Sequence, residues 1–116
     1  MLEKAKSVGY SKIALCSIVI AELFFGANNH PTNSKKLLQY YYNLSNKLIC
    51  YNFDKNCGII YGDIKEKLNK IGKSIDDMDL LIASICIAND LILVTNNVKH
   101  FKNIPNLQVE NWTIDE

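Results

Sequence analysis

The chain has 116 residues, is 48% hydrophobic and carries a formal net charge of +1, which fits one domain, spanning 1–116, with a substantial core. No strong global field draws such a chain to nucleic acid or to a membrane surface. All 13 basic residues are lysine, so the bidentate guanidinium grip on phosphate or guanine is excluded, and any nucleic-acid contact must use point charges.

Leu2, Ala5 and Val8 recur at helical spacing and Gly9 closes that first helix. Ile13 to Cys16 read as a buried strand, and Ser17 is placed to cap a helix over Ile18–Ala27. Asn28 to Pro31 form a loop, and Thr32 is placed to cap a second helix running through Asn43. Leu37, Tyr41, Leu44 and Leu48 share one face of it, flanked by Tyr40 and Tyr42. Leu48 to Phe53 read as another strand. Asp54 then caps a long amphipathic helix whose inner face carries Cys57, Tyr61, Ile64, Leu68 and Ile71. Asp63–Lys67 and Glu66–Lys70 are acid-before-lysine pairs four apart, which support a solvated helix face. Lys65, Lys67, Lys70 and Lys73 could instead bind phosphates, but the solvated face is the simpler account.

Asp76 to Asp90 follows, the most informative stretch of the chain. Leu80 to Ala88 contain one polar residue, Ser84, and a helix apolar nearly all round is a buried one. Leu91 to Thr95 read as a short, fully buried strand of the parallel-sheet kind, closed by the turn residues Asn96 and Asn97. A short segment, Val98–Lys102, then leads past Pro105 to a last strand, Leu107–Glu110. Helices alternating with short apolar strands make an α/β domain with a mostly parallel sheet.

The four cysteines, Cys16, Cys50, Cys57 and Cys86, show no CxxC spacing and sit among apolar neighbours. They read as buried, reduced thiols of an intracellular protein. His30 and His100 lie far from any cysteine and read as surface or turn residues rather than ligands. The longest apolar run, Ile13–Ala27, is shorter than the ~20 residues of a membrane span and contains Glu22. Met1-Leu2-Glu3-Lys4 begins no signal peptide, so the expected compartment is the cytoplasm and no membrane partner is expected.

Two acids stand out. Glu22 lies among Ile18, Val19, Ile20, Ala21, Leu23, Phe24 and Phe25, which leave its helix little polar face. It needs either a partner or a solvated edge, because an uncompensated buried carboxylate costs several kcal/mol. Asp79 sits inside the first turn of the buried helix, where Asp76 and Asp77 already satisfy the preference for negative charge. Thr95 and Asn97 lie past the carboxyl end of the following strand, where sites form in open α/β sheets. Oxygen ligands of this kind suit a hard cation such as Mg²⁺ or Mn²⁺.

The segments SIVIAELFFGA (Ser17–Ala27), YGDIKEKLNKIGKSI (Tyr61–Ile75), DMDLLIA (Asp77–Ala83), LVTNNVKHF (Leu93–Phe101) and LQVENW (Leu107–Trp112), in this order, resemble the PIN-domain ribonucleases of the VapC toxin type. The resemblance covers nearly the whole chain. It implies a three-layer α/β fold with a mostly parallel central sheet flanked by helices, and an endoribonuclease that uses Mg²⁺ or Mn²⁺ to cut RNA at phosphodiesters. It also implies a VapB-type antitoxin as partner, and the chain is expected to form a homodimer. By resemblance, Asp79 and Glu22 are metal-binding acids, Asn97 occupies a position that is aspartate in many members, and Thr95 matches the threonine before it. Lys12 and Lys99 are candidates for holding the RNA backbone.

The chain departs from the family at its start. Members open with a hydrophobic strand ending in an aspartate that is a principal metal ligand, and nothing before Ile13 fits it. The expectation is therefore a member without that N-terminal strand, through an internal start codon, a truncated gene or a cut chain. Removing a central strand leaves its neighbours with unpaired backbone groups. A second reading follows: a catalytically impaired remnant that still dimerises or captures an antitoxin, with Phe24–Phe25 and Tyr40–Tyr42 as docking surfaces.

Overall fold

The computed structural model describes residues 14–95 and 97–111. The first expected helix, Ile13, Lys12, Asn96 and Trp112 lie outside the described residues. The chain gathers into two compact units that divide between Asn52 and Phe53.

In the N-terminal unit, strand β1 (Ala14–Cys16) runs directly into helix α1 (Ser17–Asn28), followed by α2 (Ser34–Lys47) and β2 (Ile49–Tyr51). β1 and β2 pair in parallel, with Leu15 opposite Cys50 and Cys16 opposite Tyr51. This β–α–α–β crossover is the connection that parallel neighbours require. Ser17 is the first helical residue rather than the cap; the cap position falls on Cys16, with no side-chain bond. The cap of α2 likewise falls on Asn33 rather than Thr32, and the helix runs four residues past Asn43. His30 organises that start: its Nδ1 accepts from the Thr32 and Asn33 backbone N–H groups at 3.3 and 3.0 Å. As expected for a turn residue, its ring is occupied by local bonding.

The C-terminal unit holds α3 (Lys55–Lys70), α4 (Asp77–Ala88), β3 (Ile92–Val94), a 3₁₀ turn (Val98–Phe101) and β4 (Gln108–Glu110). Asp54 caps α3 as its sequence suggests, accepting from Cys57 N–H at 3.1 Å. The end of α3 is a Schellman turn: Lys73 N donates to Leu68 O at 2.9 Å, Gly72 N to Asn69 O at 3.1 Å, and Gly72 takes φ +68°. Asp90, at φ 55°, ends α4 in the same way, with Leu91 N donating to Cys86 O at 2.8 Å. Glycine tolerates this left-handed position without a Cβ clash, and aspartate is among the few other residues that visit it.

The core of this unit is Ile64, Leu68, Leu80, Ala83, Phe101 and Ile104, against which Tyr61, Leu93, Leu107 and Val109 pack. Leu80 and Ile82 to Cys86 are all buried, so the uniformly apolar helix is the central one, as its composition requires. Its single polar side chain, Ser84, is fully buried and satisfies itself by donating to Leu80 O at 2.7 Å. The inner face of α3 is Cys57, Ile64 and Leu68; Ile71 falls past the helix end and is exposed.

β3 and β4 also pair in parallel, Leu93 opposite Val109. The α/β class and the parallel pairing match the sequence reading. Among the described residues, however, the strands make two two-stranded sheets rather than one continuous sheet. Among the described residues β1 is bonded to β2 alone and β3 to β4 alone. β3 is correspondingly less buried than an internal strand: Ile92 is 48% exposed. Cys50, on β2, is exposed, whereas Cys16, Cys57 and Cys86 are buried; all four are free thiols. Among the described residues no helix is long and apolar enough to cross a membrane.

Candidate metal centre

Three carboxylates crowd the N-terminus of α4, and the fold gives each a different occupation. Asp76 is the cap: its Oδ2 accepts from Met78 N–H at 3.2 Å. Asp77 turns toward α3, where Lys65 Nζ donates to its Oδ1 at 3.0 Å and Tyr61 OH donates to the same oxygen at 3.1 Å. The Lys65 ammonium, with help from Tyr61, holds the Asp77 carboxyl below the usual carboxylate range, and Asp77 in turn raises the Lys65 ammonium. Asp79 has no lysine partner among the described residues. Its side chain is 28% exposed, and the nearest basic group is His100, whose Nδ1 lies 3.7 Å from Oδ2.

The chain after β3 explains how His100 arrives there. Thr95 N–H donates to Glu110 O at 3.0 Å, extending the β3–β4 ladder by one step. Thr95 Oγ1 then accepts from Asn97 N–H at 3.0 Å, a hydroxyl turn that bends the chain. Asn97 O accepts from His100 N–H at 3.0 Å, starting the 3₁₀ turn. Buried Phe101 anchors that turn to the core beside Leu80 and Ala83. The carboxyl end of β3 and the first turn of α4 thus meet through His100 and Asp79, the strand-end address expected of an α/β site.

Of the residues singled out in the sequence, Asp79, Thr95 and Asn97 lie in this unit. Asn97 and Lys99 are exposed, and the Thr95 hydroxyl is engaged in the turn. Glu22 belongs to α1 in the N-terminal unit and is exposed; of the two expectations for it, the solvated edge is the one observed. Lys12 is outside the described residues. Among the described residues no group of three or more His, Cys, Asp and Glu side chains is placed to hold a metal ion; Asp79 and His100 form a pair. The lysine row on α3 is largely committed: Lys65 to Asp77, Lys67 to Asp63 at 3.0 Å and Lys70 to Glu66 at 3.9 Å. The solvated-face reading of that row therefore stands. His100 is the residue that sequence reasoning missed. It lies twenty-one positions from Asp79, and no local spacing signals the contact.

Comparison with known proteins gives the family. The PIN domain family matches residues 2–107, taking in both compact units. The ribonuclease VapC2 of Rickettsia felis is 44% identical over 100 residues, which cover 86% of this chain and 74% of that protein. The chain belongs to the PIN-domain family and, within it, to the VapC ribonucleases. As a VapC-family chain it also matches solved structures along most of its length. The crystal structure of VapBC2 from Rickettsia felis bound to a DNA fragment from their promoter matches with a TM-score of 0.80 and 40% identity, covering 87% of this chain and 75% of that one. DNA-bound VapBC from Salmonella typhimurium gives a TM-score of 0.87 at 25% identity, covering 96% and 83%. A family of ribonuclease toxins is thus the setting in which Asp79 and its neighbours are to be read.

Proposed function

We propose that this chain is the toxin of a toxin–antitoxin pair, a Mg²⁺- or Mn²⁺-dependent endoribonuclease whose metal is held by Asp79 and Asn97, with Glu22 as the further metal-binding acid that the family resemblance implies. The observation that carries the reading is the division of labour on α4. Asp76 is used as a cap and Asp77 is paired with Lys65, while Asp79, at the mouth of the core, has no lysine partner among the described residues. A half-buried carboxylate beside a strand end, without an ammonium neighbour among the described residues, fits a hard divalent cation by donor chemistry.

A cation bound there supplies an acidified water and neutralises charge growing on the phosphate. Asp79 fixes the position of the charge, and the position is rigid because α4 is the buried centre of its unit. Asn97 adds an amide oxygen directly or through water. Glu22 supplies the second family carboxylate, holding a further ion or orienting the attacking water. Thr95 holds the turn that carries Asn97 and His100. Lys99, on the exposed 3₁₀ turn, and Lys12 position the RNA backbone as point charges. The family resemblance implies that water would attack the phosphorus in line and the bond to the 3′-oxygen would break, giving a 5′-phosphate and a free 3′-hydroxyl. The two units together constitute the one PIN domain, acting in the cytoplasm as a homodimer that a VapB-type antitoxin restrains.

A second reading, an antitoxin-binding or dimerisation module of impaired catalysis, is favoured by the aromatic surface of the N-terminal unit. Phe25, Tyr40 and Tyr42 are exposed by 74%, 44% and 58%, and the Phe24 and Tyr41 rings lie 6.4 Å apart. Exposed aromatic side chains are enriched at interaction sites. Incubating tRNA and mRNA with the native chain and with Asp79→Asn, in Mg²⁺ or Mn²⁺, separates the readings. Cleavage lost in the variant supports the nuclease, equal cleavage by both removes the metal role from Asp79, and cleavage by neither favours the binding module.

A further inference from the structure

His100 Nδ1 and Asp79 Oδ2 are separated by 3.7 Å. That is too long for a hydrogen bond between them. It is close to the gap two ligands leave around one ion: bonds of about 2.1 Å place cis donors about 3.0 Å apart at a right angle and about 3.4 Å apart at a tetrahedral angle. The turn that carries His100 is fixed by Asn97 O, Thr95 Oγ1 and buried Phe101, so the ring is held beside the carboxylate. The ring itself is free to close the last few tenths of an ångström, since the His100 side chain is 61% exposed. We propose that His100 is a metal ligand in its own right, completing an Asp–His chelate with Asp79 that favours a transition-metal ion over Mg²⁺.

The chemistry behind the selectivity is the donor atom. Mg²⁺ prefers oxygen and gives up its waters reluctantly, whereas imidazole nitrogen suits transition ions. An all-oxygen set of Asp79, Glu22 and Asn97 has no means of discriminating in this way; one imidazole supplies it. The contrast with His30 is instructive. Its Nδ1 is already taken by two backbone N–H groups, whereas among the described residues the His100 ring faces Asp79.

This inference rests on the proposed metal role of Asp79, and the test keeps the two apart. Mn²⁺ alone is titrated into the full chain and followed by electron paramagnetic resonance, with pulsed measurements for nitrogen coupling. We expect bound Mn²⁺ to show imidazole nitrogen coupling that His100→Gln abolishes and His30→Gln preserves. We also expect His100→Gln to weaken Mn²⁺ binding about tenfold or more and Mg²⁺ binding, read by competition, no more than about threefold. Mn²⁺ bound in an Asp79-dependent way without nitrogen coupling, or with coupling that survives in His100→Gln, overturns the ligand role of His100 and leaves the nuclease reading in place. Absence of Mn²⁺ binding by the native chain overturns both.

Discussion

Lys65 Nζ stands 3.0 Å from Asp77 Oδ1 and so ties the middle of α3 to the first turn of α4. Two residues further on, Asp79 faces a histidine instead. One turn of helix thus holds a carboxylate paired with lysine and another that faces histidine.

The Asp77–Lys65 pair makes stability depend on pH in a definable way. The Asp77 carboxyl is lowered, so its contribution is present above the ordinary carboxylate value of about 3.9 and is lost as pH falls through its lower folded value. The Lys65 ammonium is raised, so its contribution is present below about 10.4 and is lost as pH rises through the folded value. Asp77→Asn should flatten both limbs of the urea-midpoint profile. Because both groups are exposed, the effect should shrink in high salt.

The core of the C-terminal unit predicts a larger loss. Leu80 is 1% exposed and packs among Ile64, Leu68, Ala83 and Phe101. Leu80→Ala should destabilise by about 2–5 kcal/mol, transfer and cavity together, as measured by denaturant unfolding. Asp79 adjoins this residue in sequence, so the same substitution should also loosen the site.

Much of this architecture is legible in the sequence, and the reasons are local. The apolar run Leu80–Ala88 could only be a buried helix, Asp54 could only be a cap, and the Asp63–Lys67 pairing follows from helical spacing. What was not legible depends on tertiary placement. Ser17 lost its capping role because β1 runs straight into α1, and Cys50 is exposed because β2 has one partner strand among the described residues. Ile92, expected in a fully buried strand, is exposed for the same reason. His100 could not be assigned to Asp79 because their contact is made by the turn after β3. Conversely, the acids at the start of α4 were visible as a cluster, but which one is spare emerged only from the position of Lys65.

The exposed cysteine offers a direct check on β2. Cys50 is open to solvent, whereas Cys16 and Cys57 are buried and burial raises both thiols. A thiol reagent at neutral pH should therefore modify Cys50 rapidly in the native chain and the remaining cysteines only after unfolding. Cys50→Ser should remove the fast phase.

Among the described residues of the N-terminal unit, Phe25 is the most exposed large apolar side chain at 74%. Its replacement by serine should change stability by no more than about 0.5 kcal/mol. If the aromatic cluster docks the antitoxin, Phe25→Ser combined with Tyr42→Ser should weaken the toxin–antitoxin complex by about tenfold or more, read by calorimetry. Unchanged affinity would move the docking surface elsewhere.

The central claim is that Asp79 holds the charge that cuts RNA while Asp77 does not. Cleavage of a tRNA and mRNA mixture in Mn²⁺ should be compared for the native chain, Asp77→Asn and Asp79→Asn. The account predicts cleavage by the first two and a loss of about 100-fold or more in the third, beyond what an outer-shell partner carries. Equal cleavage by the native chain and Asp79→Asn would contradict it.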